Sequence, residues 1–305
     1  MMFFITHLAS AQSCNFNLTD INFGSVNLSL GGTPSTTGTF SANCTGTPNS
    51  TITICPNIGD GTGGSTSGNP RLLANGLSSI GYNLYQPSGQ IWGSYIWPYA
   101  PRPPILSLTL NGAGAGAMTQ TIAAQLTQIL LLAPSGVYQS VYIGTHALID
   151  YGYAPTQLCT TLSTRAVSAP FTVLANNNSS CNISATSMGF GTRADLNSAQ
   201  TTSNQISITC TKGVRYTLGL NNGSNGGTSP SNRFMADSAS GQKISYGIFQ
   251  DTNMTLQWGS TAGVDMISGK ATGLTQVYNA YGQIPVQPTP LGGSYADTVV
   301  ITVTY

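Results

Sequence analysis

Charged side chains make up only 6% of the 305 residues, against ~25% in ordinary soluble domains. The surface is therefore built from Ser, Thr, Asn, Gln and Gly. Nine basic residues against eight acidic ones leave a formal charge of +1, so the chain carries no electrostatic footprint for nucleic acid or an anionic membrane. Histidine occurs twice, as His7 and His146. His146, Asp150 and any of many serines make no more than a chance triad, so enzyme chemistry is not expected. Cysteine pairs of the CxxC kind are missing, which argues against zinc. No run reaches the ~20 apolar residues of a membrane-spanning helix, and helical periodicity is almost absent. These absences predict a protein with no metal, no cofactor, no nucleic-acid partner and no membrane span.

The N-terminus, "MMFFITHLASAQSCNF", joins a short apolar run to the small residues Ala9-Ser10-Ala11, the pattern of a signal-peptidase site. Residues 1–11 are expected to be an export signal, truncated because the apolar run is short and no basic segment precedes it. The competing reading is a buried first strand. Six cysteines, Cys14, Cys44, Cys55, Cys159, Cys181 and Cys210, form an even set in an exported chain, which favours three disulfides.

The strongest internal signal is a duplication. "CNFNLTDINFGSV" from Cys14 recurs as "CNISATSMGFGTR" from Cys181, with Phe23-Gly24 and Phe190-Gly191 at the same offset. Further landmarks keep step: Cys44 with Cys210, Arg71 with Arg233, "YNLYQ" at Tyr82 with "YGIFQ" at Tyr246, and "WGS" at Trp92 with "WGS" at Trp258. "SGVYQSVYI" around Tyr138 then matches the start of "GGSYADTVVITVTY" around Tyr295. Two homologous domains are expected, 12–177 and 178–305. Short β-branched and aromatic runs with Gly, Asn and Ser turns between them predict tandem immunoglobulin-like antiparallel β-sandwiches. The ambiguous "MTQTIAAQLTQILLLA" is read as strand, because its repeat partner "GLTQVYNAYGQIP" carries Gly and Pro. The repeat pairs Cys14 with Cys44 and Cys181 with Cys210, leaving Cys55 for Cys159; Cys44–Cys55 stays open as an alternative.

The two copies differ at their ends. Domain 1 continues past its Tyr138 motif into "APFTVLANNNSS", where Phe171, Val173 and Ala175 alternate inward as a closing strand should. Domain 2 reaches Tyr305 without such a segment. A sandwich short of its last strand exposes an apolar groove and unpaired backbone, and strand addition from a partner is the known remedy. Val299, Ile301, Val303 and Tyr305 are expected to line that groove. Cys14 follows the predicted cleavage site at once, so the chain is expected to accept a strand without donating one, and so to cap a polymer.

"CNISATSMGFG", the preceding "FTVLA", "WGS" and "GGSYADTVVITVTY" resemble the spore coat protein U domain, in two copies over nearly the whole mature chain. That family includes the pilins of archaic (Csu-type) chaperone–usher pili, and a two-domain form with a divergent first copy resembles their tip adhesin. The resemblance implies an extracellular location at the pilus tip after export through the periplasm. It also implies a periplasmic chaperone, an outer-membrane usher, an adjacent pilin donating a strand, and attachment to abiotic or host surfaces in biofilm formation.

Attachment points to "GSYIWPYAPRPPI", Gly93–Ile105. Its four prolines forbid a central strand or a helix, and domain 1 is longer here than domain 2. Tyr95, Ile96, Trp97, Pro98, Tyr99 and Ile105 are candidate surface-binding residues on a stiff loop. The alternative has Trp97 and Ile105 folded back over the sandwich end. Leu148, Ile149, Tyr151 and Tyr153 in "ALIDYGYAP" form a second candidate finger, and "ILLLAP" at Ile129–Pro134 reads as core rather than tip. Trp92 and Trp258 read as core, and Arg71 and Arg233 as structural hydrogen-bond donors. A lectin-type adhesin, or a coat or pilus subunit without a receptor, remain the alternatives.

Overall fold

β-branched and aromatic residues alternate with polar ones along this chain, and turn formers interrupt them every few residues, so its regular structure is almost wholly strand. The computed structural model describes residues 12–28, 33–127, 133–153, 158–162 and 166–305. Residues 1–11, the expected export signal, lie outside these. The chain divides into two compact units, the first ending at Asn178 and the second running Ser179–Tyr305.

Unit 1 contains β1 (Ser13–Leu18), β2 (Ile21–Val26), β3 (Ser35–Thr45), β4 (Thr51–Ile58), β5 (Arg71–Asn75) and β6 (Ser78–Tyr85). It continues with β7 (Leu106–Thr109), β8 (Ala115–Leu126), β9 (Gly136–Tyr142), β10 (Ala147–Gly152), β11 (Ala166–Ser168) and β12 (Phe171–Asn177). Its larger sheet has the order β1-β3-β8-β6-β5-β9-β12-β2 and its smaller one β11-β10-β4-β7. Unit 2 contains β13 (Cys181–Ala185), β14 (Gln200–Cys210), β15 (Arg215–Leu220), β16 (Arg233–Asp237) and β17 (Lys243–Phe249). β18 (Ile267–Lys270), β19 (Gln276–Ile284), β20 (Tyr295–Ala296) and β21 (Ile301–Thr304) complete it. Its sheets run β13-β14-β19-β17-β16-β20 and β18-β15-β21. Both units are immunoglobulin-like sandwiches, as the alternation predicts, and the ambiguous stretch from Met118 is strand β8 up to Leu126.

Each unit has its own core. Phe40, Ile54, Tyr82, Trp92 and Val173 pack together in unit 1, and Ile206, Leu218, Tyr246, Ile248 and Trp258 in unit 2. The matched Phe-Gly pairs have a conformational cause. Gly24 (φ +68°) and Gly191 (φ +71°) both take the left-handed region that side chains disfavour. Disulfides join Cys14 to Cys44, Cys55 to Cys159 and Cys181 to Cys210. The first and third tie an edge strand to its neighbour at paired positions. The second lies on β4, whose residues are buried on both faces. One face belongs to the sandwich core, and Cys159, Leu162 and Tyr95 cover the other.

Two fully buried arginines hold equivalent crossings together. Arg71 donates from Nε to the Gly59 carbonyl at 2.6 Å and from Nη2 to those of Ile58, at 2.8 Å, and Trp92. Arg233 donates from Nε to Asn221 O at 2.8 Å and from Nη2 to Leu220 O and Trp258 O, while its Nη1 reaches Pro230 O. Burial pushes the Arg233 guanidinium down to about 10, against the pull of Tyr246, Asp297 and Asp265. Replacing Arg233 with Ala would strand these carbonyls, each at ~1–3 kcal/mol. The expected loss in unit 2 exceeds about 3 kcal/mol, read from urea unfolding. A loss under ~1 kcal/mol would assign the carbonyls to water instead.

Candidate functional site: an open groove and a folded-back loop

In unit 1 the last strand completes the sandwich. β12 pairs antiparallel with β9, Phe171 facing Tyr142, Val173 facing Ser140 and Ala175 facing Tyr138. Its other edge runs parallel to β2, with Val173 beside Ile21. Every second β12 side chain points into the core. Under that cover Tyr138, Ser140, Tyr142, Ala147 and Ile149 have no exposed surface.

Unit 2 repeats the frame without the cover. Tyr138 donates its hydroxyl to the carbonyl four residues back, Pro134 O at 2.9 Å, and Tyr295 does the same to Leu291 O at 2.7 Å. This bond fixes the equivalence of β9 with the segment from Gly293 to Val299. Among the described residues, no strand lies where β12 lies in unit 1. The counterparts of the covered residues, Tyr295, Asp297, Val299 and Ile301, are only half-buried. The counterpart of β2, from Met188 to Arg193, has no strand conformation, and neither has the stretch from Asp297 to Val300. Backbone on both sides of the vacant place thus lacks the ladder partner that shapes β2 and β9.

Between these edges runs a groove with apolar side chains at its floor and polar ones along its rim. It comprises a cavity of about 410 Å³ and another of about 510 Å³ that share Met188, Phe190, Met235 and Tyr295. Ile206, Tyr246 and Ile248 form the floor of the first. Asp297 stands where unit 1 has Ser140, and it accepts from the Tyr246 hydroxyl at 2.7 Å and the Ser224 N–H at 2.9 Å. Burial and that neighbouring carboxylate push the Tyr246 phenol well above its ordinary range.

Of the expected groove residues, Val299 and Ile301 line the cavity. Val303 pairs with Leu218 in β21 and packs on the core without lining it. Tyr305 is 56% exposed and leaves the groove set, because the ladder of β21 ends at Thr304. Met188, Phe190 and Met235 were missed. The first two were legible as the repeat counterparts of Ile21 and Phe23.

The Gly93–Ile105 loop lies against the sandwich. Asn57, buried on β4, accepts the Tyr95 N–H at 2.8 Å and the Ser94 hydroxyl at 3.4 Å. Arg102, itself exposed, braces the loop by donating to Ser94 O at 3.1 Å and to Tyr99 O. Tyr95 is half-buried on the Cys55–Cys159 cluster. Trp97 is 6% exposed, with the Arg71 guanidinium 4.7 Å from its ring centre and Tyr99 edge-on at 5.1 Å. Trp97 therefore leaves the surface-binding set, since stacking on a buried cation holds it inward. Ile96 (47%), Ile105 (54%) and Pro98 remain exposed, and Tyr99 is half-buried.

The second candidate finger is a strand. Ile149 and Tyr151 are core residues of β10, and Leu148 pairs with Asn57. The Tyr153 hydroxyl donates to Thr45 O at 2.5 Å. β10 is held between β4 and β11, which leaves no free finger there. Ala154 and Pro155 lie outside the described residues, as do Ile129–Leu132 of "ILLLAP", whose Ala133 is buried. His146 meets Asp60 rather than Asp150, at 3.0 Å. Asp150 instead accepts from Asn57 Nδ2 at 2.8 Å.

Burial raises the Asp150 carboxyl above its ordinary value, against the Asn57 hydrogen bond. A raised folded value means that its contribution is fully present below the unfolded value of 3.8 and is lost as pH rises through the folded one. Asp150→Asn is expected to stabilise unit 1 at pH 7, with the gain vanishing below pH 3.8, by urea midpoints at both pH values. A gain independent of pH would show that charge is not the cause.

No curated protein matches the sequence. The solved CsuC–CsuE chaperone–tip adhesion subunit pre-assembly complex, from archaic chaperone–usher Csu pili of Acinetobacter baumannii, matches with a TM-score of 0.58 and 16% identity. The match covers 96% of this chain and 100% of that one. The CupB6 tip adhesin of Pseudomonas aeruginosa matches at a TM-score of 0.39 and 12% identity, over 96% of this chain and 94% of that one. The fold is that of pilus subunits and adhesins, not of enzymes. The model of the Spore Coat Protein U domain matches residues 2–141 and again residues 167–302. Two copies of one frame thus account for most of the chain, which belongs to the Spore Coat Protein U domain family.

Proposed function

We propose that this chain is the tip adhesin of a chaperone–usher pilus. Unit 1 meets the surface, and unit 2 joins the fibre by accepting a β-strand from the adjacent pilin. One observation carries this reading: positions fully covered in unit 1 lie half-open in unit 2, around a groove with an apolar floor. An open apolar edge of this kind needs a partner to stay soluble. A unit closed by its own strand needs none, so unit 1 is free to act at the end of a fibre.

The similarity to a chaperone-bound tip subunit supports a periplasmic chaperone holding the groove before an outer-membrane usher passes the chain to its neighbour. It likewise supports an extracellular, pilus-tip location. Surface attachment, to abiotic or host material in a biofilm, is assigned to Ile96, Pro98 and Ile105, flanked by Tyr95 and Tyr99. Replacing the exposed trio and counting attached, normally piliated cells tests the assignment.

A further inference from the structure

The groove of unit 2 differs from the covered core of unit 1 at three matched positions. Met188 stands where unit 1 has Ile21, and Met235 where it has Leu73, at the same offsets from the matched cysteines and arginines. Gly282 stands where unit 1 has Ala124, since each pairs with the residue two beyond a matched tyrosine, Ile248 in one unit and Leu84 in the other. The three changes belong together. A side chain on Gly282 would begin 2.4 Å from Met188 Sδ, so the glycine makes the room that the longer thioether needs. In unit 1, Ile21 and Leu73 are fully buried, and Ile21 lies beside Val173 of β12. In unit 2 both methionines are partly exposed and line both cavities of the groove. Met118, Met254 and Met266 line neither.

Methionine brings two properties that isoleucine and leucine do not. Its unbranched chain adapts to differing neighbours, which suits a groove that receives more than one partner. Its sulfur is also open to oxidation. With all six cysteines bridged in pairs, the thioethers are the sulfur that a peroxide can attack. The step is a two-electron oxygen transfer: a sulfur lone pair takes the peroxide's terminal oxygen, the O–O bond breaks, an S–O bond forms and water leaves. The sulfoxide is polar and accepts hydrogen bonds, whereas the neighbouring floor is Ile206, Tyr246 and Ile248, and the Tyr246 hydroxyl is already given to Asp297. A strand laid over the groove would bury the new oxygen without a donor.

We propose that Met188 and Met235 form a peroxide modification site that is open while the groove is empty, shielded once a strand is seated, and that blocks strand acceptance when oxidised. The proposal rests on unit 2 accepting a strand, and its test separates the two. The full chain is treated with hydrogen peroxide, with and without a saturating excess of a peptide of its own residues 170–178. The oxygen gained at each methionine is read by mass spectrometry of proteolytic fragments. Met188 and Met235 should oxidise at least about tenfold more slowly under the peptide, because susceptibility follows exposure, while Met254 and Met266 oxidise as before. The oxidised chain, freed of peroxide, should then bind the peptide roughly tenfold more weakly per sulfoxide. The same treatment of a Met188→Ile, Met235→Leu chain should change its peptide affinity by less than about twofold, whatever affinity it starts from. Met188→Leu with Met235→Leu serves if that pair lowers the melting midpoint. Equal oxidation with and without peptide, undiminished binding after both sulfurs are oxidised, or an equal loss in the double variant overturns the proposal. An untreated chain that fails to bind the peptide overturns the strand-accepting groove as well, whereas binding that oxidation leaves untouched removes the modification site alone.

Discussion

A peptide carrying this chain's own residues 170–178 is expected to bind unit 2 and raise its melting midpoint by about 10 °C at a hundredfold excess over its dissociation constant. The figure follows from linkage: ligand at 100 times Kd stabilises by ~2.7 kcal/mol, and each kcal/mol moves a domain of this size by roughly 4 °C. The register comes from unit 1. The peptide should run antiparallel to the segment from Gly293 to Val299, with its phenylalanine opposite Val299, its valine opposite Asp297 and its alanine opposite Tyr295, as Phe171, Val173 and Ala175 face Tyr142, Ser140 and Tyr138. Burying Phe and Val in the groove contributes ~1.5–3 kcal/mol each, and ladder bonds on both edges offset the cost of ordering the backbone. The same peptide with Val173→Asp should do nothing, since it would bury a second carboxylate opposite Asp297. If the full chain melts in one cooperative step that neither peptide alters, the open-groove reading fails.

The second large effect is on attachment. Cells whose subunit carries Ile96→Ser, Pro98→Ser and Ile105→Thr should lose attachment to polystyrene at least tenfold while their pili look normal. Each half-exposed side chain offers only ~1 kcal/mol to a surface, but many pili engage together and the losses multiply. Trp97→Ala should behave differently. It empties a buried site beside Arg71 and should destabilise unit 1 by about 3–5 kcal/mol. Undiminished attachment with intact pili would move the contact to the other exposed apolar residues of unit 1, Leu77, Val137 and Ile143.

The duplication, the strand-rich fold and the family could all be read along the chain. Each depends on local order: Cys and Phe-Gly at a constant offset, alternation of period two, and turn residues between runs. The difference between the two copies was legible in the same way, because Phe171, Val173 and Ala175 have no counterpart among residues 181–305. What Gly93–Ile105 does was not. A proline-rich run with Tyr, Ile and Trp reads the same whether it reaches into solvent or folds back.

Partners distant in sequence settled that point. Arg71 stacks on Trp97, Asn57 pins Tyr95, and the Cys55–Cys159 bridge supplies the surface beneath it. "ALIDYGY" was misread for a related reason: its position as a central strand depends on β4 and β11 lying on either side of it. Alternation and repeat spacing are properties of neighbours along the chain, so the sequence by itself determined the two sandwiches and which of them carries the Phe171–Ala175 strand. Burial is a property of neighbours in space, so only the tertiary structure decided which aromatics face outward and that Met188 and Met235 share one groove.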